Sequence, residues 1–111
     1  MAVSAAVLVE AKLAEDTATT QYTAIGTAVI IDKFTCTNVS SSIGSMTVNL
    51  VPSGAKAASS NRIAVSSSIA AGATYKFPEL VGHILATGDM ISTLASAPNA
   101  LVLRISGRVI T

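Results

Sequence analysis

Apolar and polar side chains alternate along several short segments of this 111-residue chain. In one segment Ile30, Phe34 and Cys36 are assigned to one face, whereas Thr35 and Thr37 fall on the other. A period of two is that of a β-strand with one buried and one solvated face. Similar segments recur along the chain, and clusters of Gly, Ser, Pro and Asn separate them. This pattern predicts an all-β fold.

The spacing of these segments is typical of sandwiches and barrels. We therefore predict a single antiparallel β-sandwich, jelly-roll-like, with about eight strands. Residues 52–61 are small and polar and lack periodicity, so they are predicted to form an exposed loop. Asp32 interrupts the inward positions of its strand and is expected near the rim of a sheet. The predicted strands cover residues 21–25, 28–38, 45–51, 62–67, 74–77, 83–86, 90–96 and 101–110.

The first twenty residues form an ambiguous segment. Residues 5–14 contain good helix formers, yet the apolar residues among them also alternate as in a strand. We favour an extended N-terminal arm, residues 1–20, ahead of a sandwich domain, residues 21–111. Such an arm could be the first strand of the domain's own sheet or a strap on the edge of a neighbouring subunit. The predicted assembly contacts are its larger apolar side chains: Val7, Leu8, Val9 and Leu13.

Charge is scarce in this chain. Charged residues make up 12% of the sequence, about half the share in an average globular protein. The surface must therefore be rich in Ser, Thr and Ala, either as the solvated face of a monomer or as a face covered by neighbouring subunits. The net charge is +1, and the Lys and Arg residues are scattered singly between Lys12 and Arg108. Direct nucleic-acid binding is not expected, because phosphate neutralisation needs a basic stripe.

Residues suited to catalysis are few. The chain has one His and six acidic residues, and it lacks a G-x-S-x-G elbow and a phosphate-binding G-x-x-x-x-G-K loop. His83 is expected to be a surface or hydrogen-bonded structural residue, and Asp89 to accept backbone N–H bonds in a turn. The single cysteine, Cys36, is expected to be a buried hydrophobe. We therefore expect a protein that is not an enzyme, with no catalytic residue, no cofactor and no metal site.

Two further sequence features, a short glycosylation-like motif and the apolar runs, do not indicate a secreted or membrane protein. Asn38-Val39-Ser40 matches the N-glycosylation pattern, but so short a motif arises often by chance and no secretory leader precedes it. No stretch approaches the roughly 18–20 uncharged apolar residues of a transmembrane helix, so no membrane association is expected.

Five short segments of the sequence resemble segments of small virion proteins of tailed bacteriophages. The resemblance spans roughly residues 21–110, and the order of the five segments is more specific to that group than any one segment is. This chain departs from that group at Phe34 and Cys36, where such proteins carry β-branched residues. The five segments are TCTNVSS (35–41), VNLVPSG (48–54), AAGATY (70–75), LVGHILATGDMI (80–91) and VLRISG (102–107).

The resemblance implies a β-sandwich subunit of a phage particle. The function it favours is that of a capsid cement (decoration) protein, which binds the assembled shell and stabilises contacts between subunits of the major capsid protein. It further implies a homotrimer on the capsid exterior, since local threefold symmetry presents three equal sites, and synthesis in the bacterial cytoplasm. The alternative is a neck, tail or fibre accessory that binds an adaptor or a host-surface receptor.

Overall fold

Two antiparallel sheets pack face to face in the computed structural model, which describes residues 2–111 apart from the side chains of Ser66 and Ser67. The predicted all-β sandwich is confirmed. A single 3₁₀ turn, Ser59–Asn61, precedes β5. The strands are β1 (Val3–Leu13), β2 (Thr19–Thr23), β3 (Ala28–Asn38), β4 (Gly44–Val51), β5 (Arg62–Ile69), β6 (Thr74–Tyr75), β7 (Ile84–Leu85), β8 (Met90–Ala95) and β9 (Leu101–Ile110).

The strand order is that of a jelly roll. The first sheet has the order β1-β9-β3-β6, and the second has the order β2-β8-β4-β5. The short strands β6 and β7 pair with the two ends of the same edge of β3, so together they fill one position. The nine strands therefore occupy eight positions in two four-position sheets, as in a jelly roll.

The N-terminal segment is part of this jelly roll. It is extended, as favoured above, but it is not an arm separate from the domain, because β1 pairs antiparallel with β9 along Val3–Leu13. Without β1, the outer edge of β9 would carry a row of unpaired backbone groups. The segment is therefore the first strand of the domain's own sheet and not a strap on a neighbouring subunit. The domain boundary expected after residue 20 is absent, because Thr19 already belongs to β2.

A bulge in β3 changes which side chains face the core. The register between β3 and β9 shifts between Ile31 and Lys33, and Asp32 is the extra residue. Val29 and Ile31 therefore point inward ahead of the bulge, whereas Ile30 lies on the outer face. The prediction that Ile30 shares a face with Phe34 was wrong, because a bulge inverts the alternation on one side of it.

The core lies between the two sheets and is mainly aliphatic, with two buried Phe rings. The ring centroids of Phe34 and Phe77 are 4.9 Å apart, and those of Tyr75 and Phe77 are 4.6 Å apart. Phe77 was predicted to end a strand over residues 74–77, but the strand stops at Tyr75 and Phe77 has a positive φ of 42°. The turn at Phe77 places its ring in the core.

The loop over residues 52–61 folds back against the second sheet instead of projecting away from it. The Asn49 side chain donates hydrogen bonds to the backbone carbonyl of Ala58, at 2.8 Å, and to Asn61 Oδ1, at 2.6 Å. Residues 52–60 are exposed, as predicted, yet they cover part of the sheet. Asn49 and Ser92 are consequently buried although they lie on its outer face.

Candidate interaction surface

The residues considered for chemistry do not form a cluster. His83 is exposed, and its backbone carbonyl accepts a 2.9 Å hydrogen bond from the N–H of Ile31. Within residues 2–111, no group of three or more His, Cys, Asp and Glu side chains is placed to hold a metal ion. The same residues contain no helix of the length and apolarity that crossing a membrane requires.

Cys36 is a buried thiol on the inner face of β3, as predicted. It pairs in register with Leu103 on β9 and with Tyr75 on β6. Burial raises its pKa from 9.0 to about 12, because the thiolate would lose its hydration there. Only the thiolate is a good nucleophile.

Native Cys36 is therefore expected to resist thiol reagents. At pH 8 its thiolate fraction should be about 1,000-fold lower than in the unfolded chain, given a pKa difference of about three units. The test is the rate of reaction with a chromogenic disulfide reagent, with and without denaturant. Rapid labelling of the folded protein would show that the strands around Cys36 open easily.

Asp89 has the structural role predicted for it. Its Oδ1 accepts a hydrogen bond from the N–H of Ser53 at 3.1 Å, and its Oδ2 accepts one from the N–H of Ala86 at 3.0 Å. These bonds join the turn before β8 to the loop after β4. The neighbouring Gly88 has a φ of +93°, and a Cβ there would lie 2.5 Å from Ser53 Oγ.

Replacing Asp89 with alanine should lower the free energy of unfolding by about 1–2 kcal/mol, because two N–H groups lose a charged acceptor. Chemical denaturation measures this loss. The exposed Asp16, which has no hydrogen bond among those described, provides the control, and Asp16→Ala should change stability by less than about 0.5 kcal/mol. Equal effects of the two substitutions would contradict the assigned role of Asp89.

The glycosylation-like motif serves the fold. The Asn38 side chain is fully buried and donates hydrogen bonds to the carbonyls of Ser42 and Ile69, both at 2.7 Å. Its Oδ1 accepts bonds from the N–H and the hydroxyl of Ser40, at 2.9 and 2.7 Å. An amide with these contacts is not available for modification in the folded chain.

The four predicted assembly contacts on β1 are not equivalent. Val7 and Leu13 are 44% and 43% exposed and remain available to a partner. Leu8 is half-buried and packs against the core, and Val9 is only 7% exposed. Val9 pairs with Ile105 on the inner face of the sheet, so its side chain faces the core and not a partner.

Val7 and Leu13 lie apart on the outer face of the first sheet. They pair with Ser106 and Val102 of β9, which puts them roughly 14 Å apart along the strand. Between these positions the face carries charge, because Arg104 Nε lies 3.9 Å from Glu10 Oε1. Beyond Val7, Arg108 donates two-pronged hydrogen bonds to Asp32 at 2.9–3.1 Å.

Two shallow recesses mark the outer faces. One, of about 350 Å³, lies beside β1 and is lined by small residues and Asp32: Ala5, Ala6, Val7, Asp32, Ser106 and Gly107. The other, of about 360 Å³, lies under the loop that follows β4. Sequence reasoning missed the second recess because the loop that forms it lacks periodicity. Asn49, a polar residue inside a strand, was the available sign that something covers that face.

Apolar side chains are also exposed at both ends of the sandwich. Ile25 and Ile84 are 79% and 65% exposed and lie where β3 begins. Val39 and Ile43 are exposed at the opposite end, in the β3–β4 loop. Among residues 2–111, eleven large hydrophobic residues are exposed: Val3, Val7, Leu13, Ile25, Val39, Ile43, Ile63, Val65, Val81, Ile84 and Leu94.

Comparison with protein-family models, with curated proteins and with solved structures gives no match for this chain. The chain is a jelly-roll domain whose acidic and imidazole groups are dispersed and whose exposed surface includes apolar side chains at both ends and along β1. Such a surface is suited to contact with other macromolecules.

Proposed function

We propose that this protein is a capsid cement subunit of a tailed bacteriophage, which binds the assembled shell and stabilises contacts between major capsid protein subunits without catalysis. The observation that carries the proposal is the eleven exposed large hydrophobic residues in a domain with only 12% charged residues. Exposed apolar side chains that follow one another on the same face, as Val3, Ala5 and Val7 do on β1, are typical of interaction surfaces. The sequence resemblance supplies the kind of assembly.

Cementing requires surface complementarity and no reacting group. A protein that binds the assembled lattice, but not its free subunits, stabilises the lattice by mass action. A two-sheet sandwich suits this role, because rigid strands hold side chains such as Leu13 at fixed positions. Four charged groups on the outer face of the first sheet are already paired within the chain, Asp32 with Arg108 and Glu10 with Arg104.

The decisive measurement is the number of copies in purified particles, by quantitative mass spectrometry. A cement protein should be present in hundreds of copies, since shell sites repeat across the lattice. A count of a few to some dozens would overturn the cement role in favour of the neck, tail or fibre accessory. Absence from the particle would overturn both.

Binding to shells that lack the protein tests the β1 contact. Leu13→Ser should weaken binding, because it removes an exposed apolar side chain from the proposed contact. The matched control is Val65→Ser, on the outer face of the second sheet, where the parent side chain is 54% exposed. Equal losses for both variants, or none for Leu13→Ser, would remove β1 from the shell contact.

A further inference from the structure

One edge of β1 has no partner strand within residues 2–111. Ala2 and Thr111 exchange two backbone hydrogen bonds, at 2.8 and 2.9 Å, and the β1–β9 register then runs without a shift to Val7. In an antiparallel ladder such pairs alternate with non-hydrogen-bonded pairs. The N–H and C=O groups of Val3, Ala5 and Val7 therefore point away from β9, toward the open edge.

This part of the edge lacks the usual protection against strand addition. Natural edge strands carry charged residues, proline or bulges that discourage pairing. The segment over residues 2–8 has no charged residue and no proline. Both register shifts in β1 come after Val7, and its charged residues, Glu10 and Lys12, come later still.

The segment is also complementary to itself. Its sequence over residues 3–7, VSAAV, is nearly palindromic about Ala5. A twofold axis through Ala5 would pair Val3 of one copy with Val7 of the other, and Ala5 with Ala5. These are the three residues whose backbone groups face the open edge, so the antiparallel pair would gain roughly six hydrogen bonds in one register.

The side chains fit the same arrangement. Val3 and Val7 share the outer face with Ala5, as their pairing with alternate residues of β9 shows, and they are 56% and 44% exposed. Directly opposed Val side chains would cover each other on that face. In this register Glu10 and Lys12 lie beyond the paired segment, so no like charges are brought together.

We propose that β1 is a self-association strand, which pairs antiparallel with β1 of a second copy of this chain about a twofold axis at Ala5. The two first sheets then join into one continuous sheet. The contact is isologous and closes with two copies, so it produces a dimer and not the homotrimer implied by the resemblance. It does not depend on the proposed capsid role, and Leu13 stays outside it.

Cysteine cross-linking tests both the contact and its register. In the proposed pair the two Ala5 Cα atoms lie about 5.5 Å apart, within the range that a disulfide spans. Ala5→Cys should therefore cross-link on mild oxidation, with a shift from 11.2 kDa to twice that mass on a non-reducing gel. Native Cys36 is buried and provides the background.

The register has its own control. Two copies of Val7→Cys would hold their sulfurs roughly 14 Å apart and should stay uncrosslinked, whereas a mixture of Val3→Cys and Val7→Cys should cross-link. Cross-linking of Val7→Cys alone, or none with Ala5→Cys, would overturn the proposed register.

Solution mass provides an independent test. Wild-type protein should sediment as a dimer, and Ala5→Pro should sediment as a monomer, because proline removes an N–H that faces the open edge. Ala5→Ser, which keeps that N–H, should remain a dimer. If Ala5→Pro does not fold, the double substitution Val3→Lys and Val7→Lys, which opposes like charges, should give the monomer. A wild-type monomer or trimer, or a dimer that survives these substitutions, would overturn the proposal.

Discussion

Replacing Asn38 with alanine is expected to lower the free energy of unfolding by about 3 kcal/mol. The substitution leaves the buried carbonyl of Ile69 without its amide donor, and an unsatisfied buried group costs about 1–3 kcal/mol. The bond to the more exposed carbonyl of Ser42 is lost as well. It also removes the acceptor that orders the backbone at Ser40. Three parts of the chain lose a common anchor: the end of β3, the loop after it and the end of β5.

Urea denaturation of the variant and the wild type measures this loss. Ser41→Ala, in the same loop but exposed, is the control and should shift stability by less than about 0.5 kcal/mol. A wild-type unfolding midpoint for Asn38→Ala would mean that water replaces the amide without cost. The buried hydrogen bonds would then have no net value for stability.

Gly107→Ala is expected to be nearly as damaging, with a loss of about 3 kcal/mol, although alanine adds only one carbon. Gly107 is a buried residue of β9, which has β1 on one side and β3 on the other. A Cβ built there overlaps the backbone carbonyl oxygen of Ile30 and lies 3.1 Å from Leu8 Cδ1. A carbonyl held in a ladder cannot swing aside as a flexible side chain can, so the cost should reach the upper end of the overpacking range.

Thermal unfolding compares this variant with Ser106→Ala, its neighbour on the outer face. The control should leave the midpoint within a few degrees of the wild-type value, because the Ser106 side chain lies on the outer face of the sheet and alanine is smaller than serine. Stability equal to wild type for Gly107→Ala would show that the bulge at Asp32 can relax to admit a methyl group.

The strands were the most predictable part of this protein. Alternation in β4 and β9 reports directly on a sheet with one buried face, and β3 was placed with the correct ends, Ala28–Asn38. Its inward set was predicted correctly only after the bulge. The extra residue in the bulge exchanges the inward and outward positions of the residues on one side of it. The alternation in one sequence does not reveal which residue is the extra one.

The candidate surface was predictable only in part. The apolar alternation that identified β1 cannot say which of its residues a neighbouring strand will cover, so Val9 and Val7 were indistinguishable in the sequence. Pairing with β9 separates them, because Val9 meets Ile105 inside the sandwich and Val7 meets Ser106 outside it. The open edge with its outward N–H groups follows from that pairing and from the order of the strands.

The amino-acid pattern alone was enough to predict the all-β class, the jelly-roll-like sandwich, the burial of Cys36 and the turn role of Asp89. These properties depend on local periodicity, side-chain polarity and turn chemistry, which are set by residues close together in the sequence. The place of the N-terminal segment in the domain's own sheet and the role of Asn38 as a buried anchor became clear only from the folded chain. Those outcomes depend on contacts between residues far apart in the chain. A local sequence pattern does not indicate which distant strand a segment will pair with.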